Sequence, residues 1–203
     1  MIIFRLVRIL LYLPYRLLFW LKATGREHIP KTGAVILSST HIHVFDPISH
    51  ALIQRRIFRS MAKAELFQNR LFGAVIRSIG GFPIRRGHRD KAAMGEALNV
   101  LTDRQEMLLI FPEGTRSRKT RLPLEFKPGV TMLAHQTGAP IVPAVIYAKH
   151  GYRPFSRIRI AYGKPVTASE LGIVTGDSAE LRAAAAELRR LSEDLLSEVS
   201  RHG

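Results

Sequence analysis

Residues 106–117 read EMLLIFPEGTRS, an apolar run closed at once by a proline-glutamate-glycine turn and a cluster of hydroxyl and guanidinium side chains. A short continuous apolar run bounded by turn residues is the mark of a strand buried on both faces. The same reading extends outward to residues 34–38, 57–61, 141–146 and 158–162. Helical patterns fall between them, at residues 47–54, 65–78, 89–103 and 128–137, and a last helix covers 178–201. That last helix opens with Asp177 and Glu180 at capping-box spacing and sets Leu181, Leu188, Leu191, Leu195 and Val199 on one face. Alternation of this kind predicts an α/β fold: one domain with a largely parallel central sheet flanked by helices.

The 203 residues are 46% hydrophobic and 23% charged, enough to bury a continuous core, which excludes a disordered basic tail. No linker and no repeat divides the chain after residue 25. Lysine and arginine number 31 against 16 aspartates and glutamates, a net charge of +15. Such an excess points to an anionic partner: nucleic acid, phospholipid headgroups or a phosphorylated metabolite. With zero cysteines, disulfides, thiolate metal sites and a cysteine nucleophile are all excluded.

The opening MIIFRLVRILLYLPYRLLFWLK is strongly apolar yet carries Arg5, Arg8 and Arg16. Only seven uncharged residues separate Arg8 from Arg16, whereas a spanning helix needs roughly 20 apolar ones. Arg5, Arg8, Tyr12 and Arg16 follow helical steps along one side, with Ile, Leu, Phe19 and Trp20 around the rest. This pattern predicts an amphipathic helix over residues 1–24 lying in a membrane interface, ahead of a catalytic-size domain over 25–203. The arginines and Pro14 interrupt the run and argue against a secretory signal.

In parallel sheets, ligands gather where strands end and loops begin. After the first predicted strand comes Thr40-His41-Ile42-His43-Val44-Phe45-Asp46-Pro47. A histidine can take a proton from an attacking hydroxyl, and a carboxylate on its other nitrogen fixes the tautomer. Asp46 before Pro47 also reads as a helix N-cap, and both roles can coexist. His41 and His43 alone do not complete a recognised metal-ligand set, so no metal site is expected. Next, Gly80-Gly81-Phe82-Pro83-Ile84-Arg85-Arg86 turns sharply and presents arginines suited to a phosphate. In the opening stretch, Gly114 permits close backbone approach, Thr115 and Ser117 offer hydroxyls, and Arg116 offers a planar guanidinium. Glu113 stands among basic residues as a partner for one of the arginines, and Lys127 lies near the positive end of a following helix. The basic run over 116–121 is equally the composition of a nucleic-acid patch, but no aromatics interleave with it and no nucleic-acid motif accompanies it. Pro143 inside a strand marks an edge or a bulge.

Taken in order, these clusters make the chain resemble the glycerolipid acyltransferases, most closely the bacterial 1-acyl-glycerol-3-phosphate acyltransferases. The matching residues are the H-x-x-x-x-D of His41 and Asp46, the G-x-x-P-I-x-R of residues 80–86, the F-P-E-G-T-R-S of residues 111–117 and the I-V-P of residues 141–143. The resemblance implies acyl transfer from a thioester, on acyl-CoA or acyl carrier protein, to the free hydroxyl of a lysophospholipid, forming phosphatidic acid. It implies His41 as general base with Asp46 orienting it, and Arg86, Glu113, Gly114, Thr115 and Arg116 at the acceptor's glycerol phosphate, with Lys127 added by its position. It implies no metal and no bound cofactor. The expected partners are an anionic membrane surface, the lysophospholipid and the acyl donor, without nucleic acid, on the cytoplasmic side of a membrane and held peripherally or monotopically. Glycerol 3-phosphate, another lysophospholipid or an amino-acid lipid are the alternative acceptors, and a non-enzymatic basic membrane- or nucleic-acid-binding module is the alternative class.

Two departures accompany the match. Family members often carry Asn before the histidine and Ser two after it, where this chain has Thr40 and His43, placing His43 beside the reacting hydroxyl. Arg85 replaces an acidic residue common in the second motif.

Overall fold

Seven strands form one sheet in the computed structural model, which describes residues 2–54, 56–85, 90–117 and 122–201, with the backbone alone at 2–5, 7 and 8. The strands are β1 (Phe19–Thr24), β2 (Val35–Ser39), β3 (Phe58–Lys63), β4 (Gly81–Ile84), β5 (Met107–Ile110), β6 (Ile141–Tyr147) and β7 (Ser156–Tyr162). Their order is β1-β7-β6-β2-β5-β3-β4, and every neighbouring pair is parallel except β6 with β7. The helices are α1 (Ile2–Leu18), α2 (Asp46–Ile53), α3 (Arg70–Ser78), α4 (Lys91–Thr102), α5 (Gly129–Thr137) and α6 (Ser178–Arg201). The expected α/β sheet with flanking helices is thus the observed one.

Side chains alternate across the sheet with the strand period of two. Val35, Leu37, Met107, Leu109, Val142, Ile146, Ile158 and Ile160 pack with Tyr15 of α1 and Leu52 of α2. Ile79, the C-cap of α3, joins the same layer. Ile36, Leu108, Ile110 and Ile141 face the other way, toward Ala97 and Leu101 of α4, Leu133 of α5 and Leu188 of α6. One layer therefore carries α1 to α3 and the other α4 to α6. The chain leaves β2 over the first layer and leaves adjacent β5 over the second. That divergence marks the carboxyl ends of β2 and β5 as the place where ligands settle in such sheets.

Three local readings change. The amphipathic helix predicted over 1–24 ends at Leu18, and Phe19–Thr24 is instead the edge strand β1, alternately buried and exposed and paired along its length with β7. The apolar run is continuous across that junction, so helix and strand patterns merge in the sequence. Arg16 Nη1 donates to Tyr12 Oη at 3.3 Å, as the predicted polar line requires, while Arg5 and Arg8 lie outside the described side chains. Pro143 sits in β6, an interior strand, rather than at a sheet edge; its carbonyl accepts from Gly163 N–H at 2.8 Å where the β7 ladder ends, so the missing donor falls at the end of a ladder. The predicted helix over 65–78 is divided, a 3₁₀ turn at Ala64–Phe67 preceding α3, whose N-cap Asn69 accepts from Phe72 N–H at 2.9 Å. Among the described residues, no helix is long and apolar enough to cross a membrane.

Candidate active site

β2 and β5 run side by side with Ser38 opposite Ile110, so the loops that follow them emerge together. From the first, His41 Nδ1 meets Asp46 Oδ2 at 2.8 Å, both side chains buried. The same Oδ2 accepts the backbone N–H of Ile42 at 2.7 Å and of His43 at 2.8 Å. Asp46 is not the N-cap of α2: the helix begins at Asp46 itself after Phe45, and the carboxylate turns back into the loop instead of onto the helix amides. With Asp46 accepting at Nδ1, the imidazole carries its proton there and Nε2 holds the lone pair. Nε2 makes no hydrogen bond among the described residues. The ring lies against Phe111, the first residue after β5, with centroids 4.1 Å apart and planes 23° from parallel, which fixes its plane as Asp46 fixes its tautomer.

Glu113 holds this loop from the other side. Its Oε1 accepts His41 N–H at 2.7 Å and its Oε2 accepts Leu124 N–H at 3.0 Å. Burial pushes the Glu113 carboxyl above its ordinary range, and those two amides pull against the shift. The sequence suggested an arginine partner for Glu113; among the described residues its oxygens accept from these two amides, and Arg86, Arg118 and Arg121 lie outside the described residues. Ser117 completes the clasp, donating to His41 carbonyl oxygen from its backbone N–H at 2.8 Å and from Oγ at 3.2 Å.

Gly114 turns with φ of +67°, and a Cβ there would stand 2.9 Å from Lys127 Nζ. The positive φ favours glycine here, and a side chain would also displace the Lys127 ammonium from the turn. Lys127 folds its ammonium over the Gly114 turn, anchored by its own N–H on Pro112 carbonyl oxygen at 2.9 Å. Thr115 is exposed and Arg116 half-buried beside it. Neither Arg116 nor Lys127 forms an ion pair among the described residues; the Lys127 ammonium lies over the turn, and Arg116 follows it directly in the chain. Arg86 lies outside the described residues. Its neighbour Arg85 follows β4, three strands from β2, a separation of about 14 Å at ordinary strand spacing. Arg85 is exposed, and its N–H donates to Asp90 Oδ2 at 2.8 Å.

Around His43, which the sequence singled out, stand several residues that carried no recognisable signal in it. The His43 ring stacks on Tyr152 at 4.5 Å and 16°, and Phe45 meets both edge-on. Ser49 Oγ lies 2.9 Å from Tyr152 Oη and 2.7 Å from Tyr15 Oη, joining α1, α2 and the segment after β6. Burial pushes the Tyr15 phenol up to about 12, and burial with the nearby Asp46 charge pushes Tyr152 higher still. Beneath the dyad, His50 is fully buried, its Nε2 2.9 Å from Ser39 Oγ and its Nδ1 3.0 Å from Tyr162 Oη. Burial pushes His50 down to about 4, so it is neutral near pH 7.

This is a buried base with a fixed tautomer, beside a turn that concentrates positive charge. It suits proton removal from a hydroxyl on a phosphorylated molecule. Comparison with known proteins agrees in kind. A sequence model of the acyltransferase family matches residues 21–147, which contain His41, Asp46, Phe111, Glu113, Gly114, Arg116 and Lys127. The chain is 29% identical over 191 residues to the 1-acyl-sn-glycerol-3-phosphate acyltransferase of Streptococcus pneumoniae, covering 88% of this chain and 70% of that one. It is 32% identical over 124 residues to the enzyme of the same name from Bacillus subtilis, covering 61% and 60%. In fold it is similar to the crystal structure of the 1-acyl-sn-glycerophosphate acyltransferase of Thermotoga maritima, with a TM-score of 0.71, 24% identity, and coverage of 89% of this chain and 72% of that one. The chain belongs to the acyltransferase family and is an enzyme of that class.

Proposed function

We propose that this acyltransferase moves an acyl chain from a thioester donor, acyl-CoA or acyl carrier protein, to the free hydroxyl of 1-acyl-glycerol 3-phosphate, forming phosphatidic acid for phospholipid synthesis. The observation that carries the reading is the buried His41–Asp46 pair at 2.8 Å with the second imidazole nitrogen open. His41 Nε2 takes the hydroxyl proton as the oxygen attacks the thioester carbonyl. The tetrahedral intermediate collapses, the carbon–sulfur bond breaks, and the proton passes from the imidazolium to the departing thiolate. A thioester is already activated, so no covalent intermediate on the enzyme is needed. Asp46 stabilises the imidazolium through its single shared oxygen.

Arg116, which follows the Gly114-Thr115 turn, and Lys127, whose ammonium lies over it, bind the acceptor's phosphate, with Arg86 as a further contact. Glu113 contributes as a positioning residue, through the loops it ties. The relatives' names support this choice of acceptor, and the surplus of positive charge suits both anionic donors. The acceptor is membrane-borne, and α1 holds the enzyme at an anionic membrane surface as a peripheral or monotopic protein.

The test incubates the protein and its His41→Ala variant with oleoyl-CoA and lysophosphatidic acid in vesicles, following free thiol and phosphatidic acid together. Equimolar products are expected, with turnover in the variant lower by about 10² to 10⁴. Undiminished turnover in His41→Ala would overturn the assigned base, and thiol release without phosphatidic acid would move the reading to another acceptor.

A further inference from the structure

An amphipathic surface helix ordinarily turns its apolar side to the core and its polar side to water. Helix α3 buries little of its apolar side: half-buried Ile76 packs at Gly81 of β4, and at Gly73 a Cβ would stand 3.0 Å from Phe67 Cα, so the helix backbone lies directly on the preceding 3₁₀ turn. Its other large apolar side chains point away: Leu71 is 78% exposed, Phe72 51% and Val75 46%, with Leu66 of the turn at 40%. Arg70 and Arg77 are exposed on the same short helix, and the Arg77 guanidinium stands 4.7 Å from the Phe67 ring centroid.

This face belongs to a wider asymmetry. Among the described residues, every large exposed hydrophobic side chain except Val174 comes from α1, the start of β1, α3 with its 3₁₀ turn, or the loops at the carboxyl end of the parallel strands. None comes from α4, α5 or α6. The outward side of α6 carries ion pairs instead, Arg189 with Glu193 at 2.7 Å and Arg190 with Glu187 and Asp194 at 2.6 and 2.9 Å. One layer of the molecule is finished for water, and the other presents apolar side chains flanked by arginine.

We infer that the outward face of α3, formed by Leu71, Phe72 and Val75 with Leu66, inserts into the interface of an anionic bilayer as a second contact beside α1. This rests on the proposed use of a membrane-borne acceptor and adds the orientation in which it is met. The occupant is a lipid surface because its two layers match what α3 offers: acyl chains for the apolar residues, and anionic headgroups for Arg70 and Arg77. Val44 and Phe45 at the His41 loop are exposed too, and the Phe45 ring lies near Tyr15 of α1 and Phe19. Helix α2, which begins at Asp46, packs against α1 in this same layer, so the dyad belongs to the side of the molecule that meets the bilayer.

Trp20 is the only tryptophan of the chain, which allows single-tryptophan reporters on a Trp20→Phe background. Phe72→Trp, Leu10→Trp and, on α6, Ala186→Trp are mixed with phosphatidylcholine–phosphatidylglycerol vesicles whose acyl chains carry bromine. Phe72→Trp is expected to lose emission to the extent that Leu10→Trp does, and Ala186→Trp to lose none. Leu71→Ser with Val75→Ser is expected to weaken vesicle association on the order of tenfold while transfer to a water-soluble short-chain acceptor persists. Quenching at residue 10 without quenching at 72 would overturn the inference and leave the membrane reading standing. Quenching at neither would overturn both, and the soluble-acceptor assay would then decide separately on the chemistry. An emission shift at residue 72 that grows with protein concentration in the absence of lipid would make the occupant a second copy of the chain and refute the lipid contact.

Discussion

His41 is held at its ring by Asp46 Oδ2 and at its backbone N–H by Glu113 Oε1, besides the Ser117 bonds to its carbonyl. Removing the hold on the N–H tests the role given to Glu113. In Glu113→Ala the amides of His41 and Leu124 lose their acceptor, at a cost of about 1–3 kcal/mol for each buried group left unpaired. The expected result is a lower urea midpoint and a lower kcat, with little change in the acceptor's KM. Arg116→Ala should do the opposite, raising KM for a phosphorylated acceptor and sparing kcat, because a charge-assisted contact to substrate is lost. Equal losses with an acceptor lacking the phosphate would contradict that assignment. His50 gives the pH dependence. Its ordinary value of 6.5 falls to about 4 in the fold, so between those values the unfolded chain binds the extra proton. Stability is therefore complete above pH 6.5 and declines as pH falls toward 4, by about 3 kcal/mol in total. Urea midpoints at pH 7 and 4.5 should show this slope in the native chain and its loss in His50→Gln. The sequence made His41, Asp46, Arg116 and Lys127 legible because each stands in a short pattern with a known chemical use. It named Glu113 but not the two amides it ties, and it hid the contacts of Phe111, His50 and Tyr152, since those depend on β2 lying between β5 and β6 and on contacts across tens of residues.

At the scale of elements, five strands and the helices between them were readable from apolar runs and caps. Asp177 Oδ1 accepts from Ala179 and Glu180 N–H, while Glu180 reaches back to the N–H groups of Val174, Thr175 and Gly176, a wider clasp than a capping box. β1 was not readable, because helix and strand propensities meet there in one apolar run. β4 has four residues, too few to show a period of two. What seats α1 was also hidden: Tyr15 reaches Ser49 on α2 at 2.7 Å, and its ring lies 4.8 Å from Phe19 at a tilt. Tyr15→Phe keeps the ring and removes one buried hydrogen bond, which is worth about 1 kcal/mol. Limited proteolysis of residues 1–18 should accelerate in that variant while the core's urea midpoint moves little. An unchanged cleavage rate would mean that α1 is held by its apolar packing alone.

Over the whole molecule, net charge and apolar surface act at different ranges, and salt separates them. The excess of +15 attracts an anionic bilayer through a field that a Debye length of about 8 Å confines at physiological ionic strength. Part of that charge lines a groove of about 780 Å³ between α1, α2, the β1 and β7 edge and α6, where Arg16, Lys22, Arg26, Arg159 and Lys164 outnumber Glu27 and Glu198. The apolar contacts of α1 and α3 need close approach and are insensitive to screening. Raising salt from about 0.05 to 0.5 M should therefore lower association with phosphatidylglycerol-containing vesicles by on the order of tenfold or more, while the weaker association with pure phosphatidylcholine stays constant. Co-sedimentation at both salts with both lipids makes the measurement. Transfer to a short-chain acceptor in solution supplies the control for the site, since Arg116 and Lys127 also hold their ligand by charge. If salt depresses that soluble reaction as strongly as it depresses vesicle binding, the charge acts at the site. If vesicle binding falls alone, the surplus charge serves to bring the enzyme to its substrate's surface, and the apolar layer formed by α1 and α3 keeps it there.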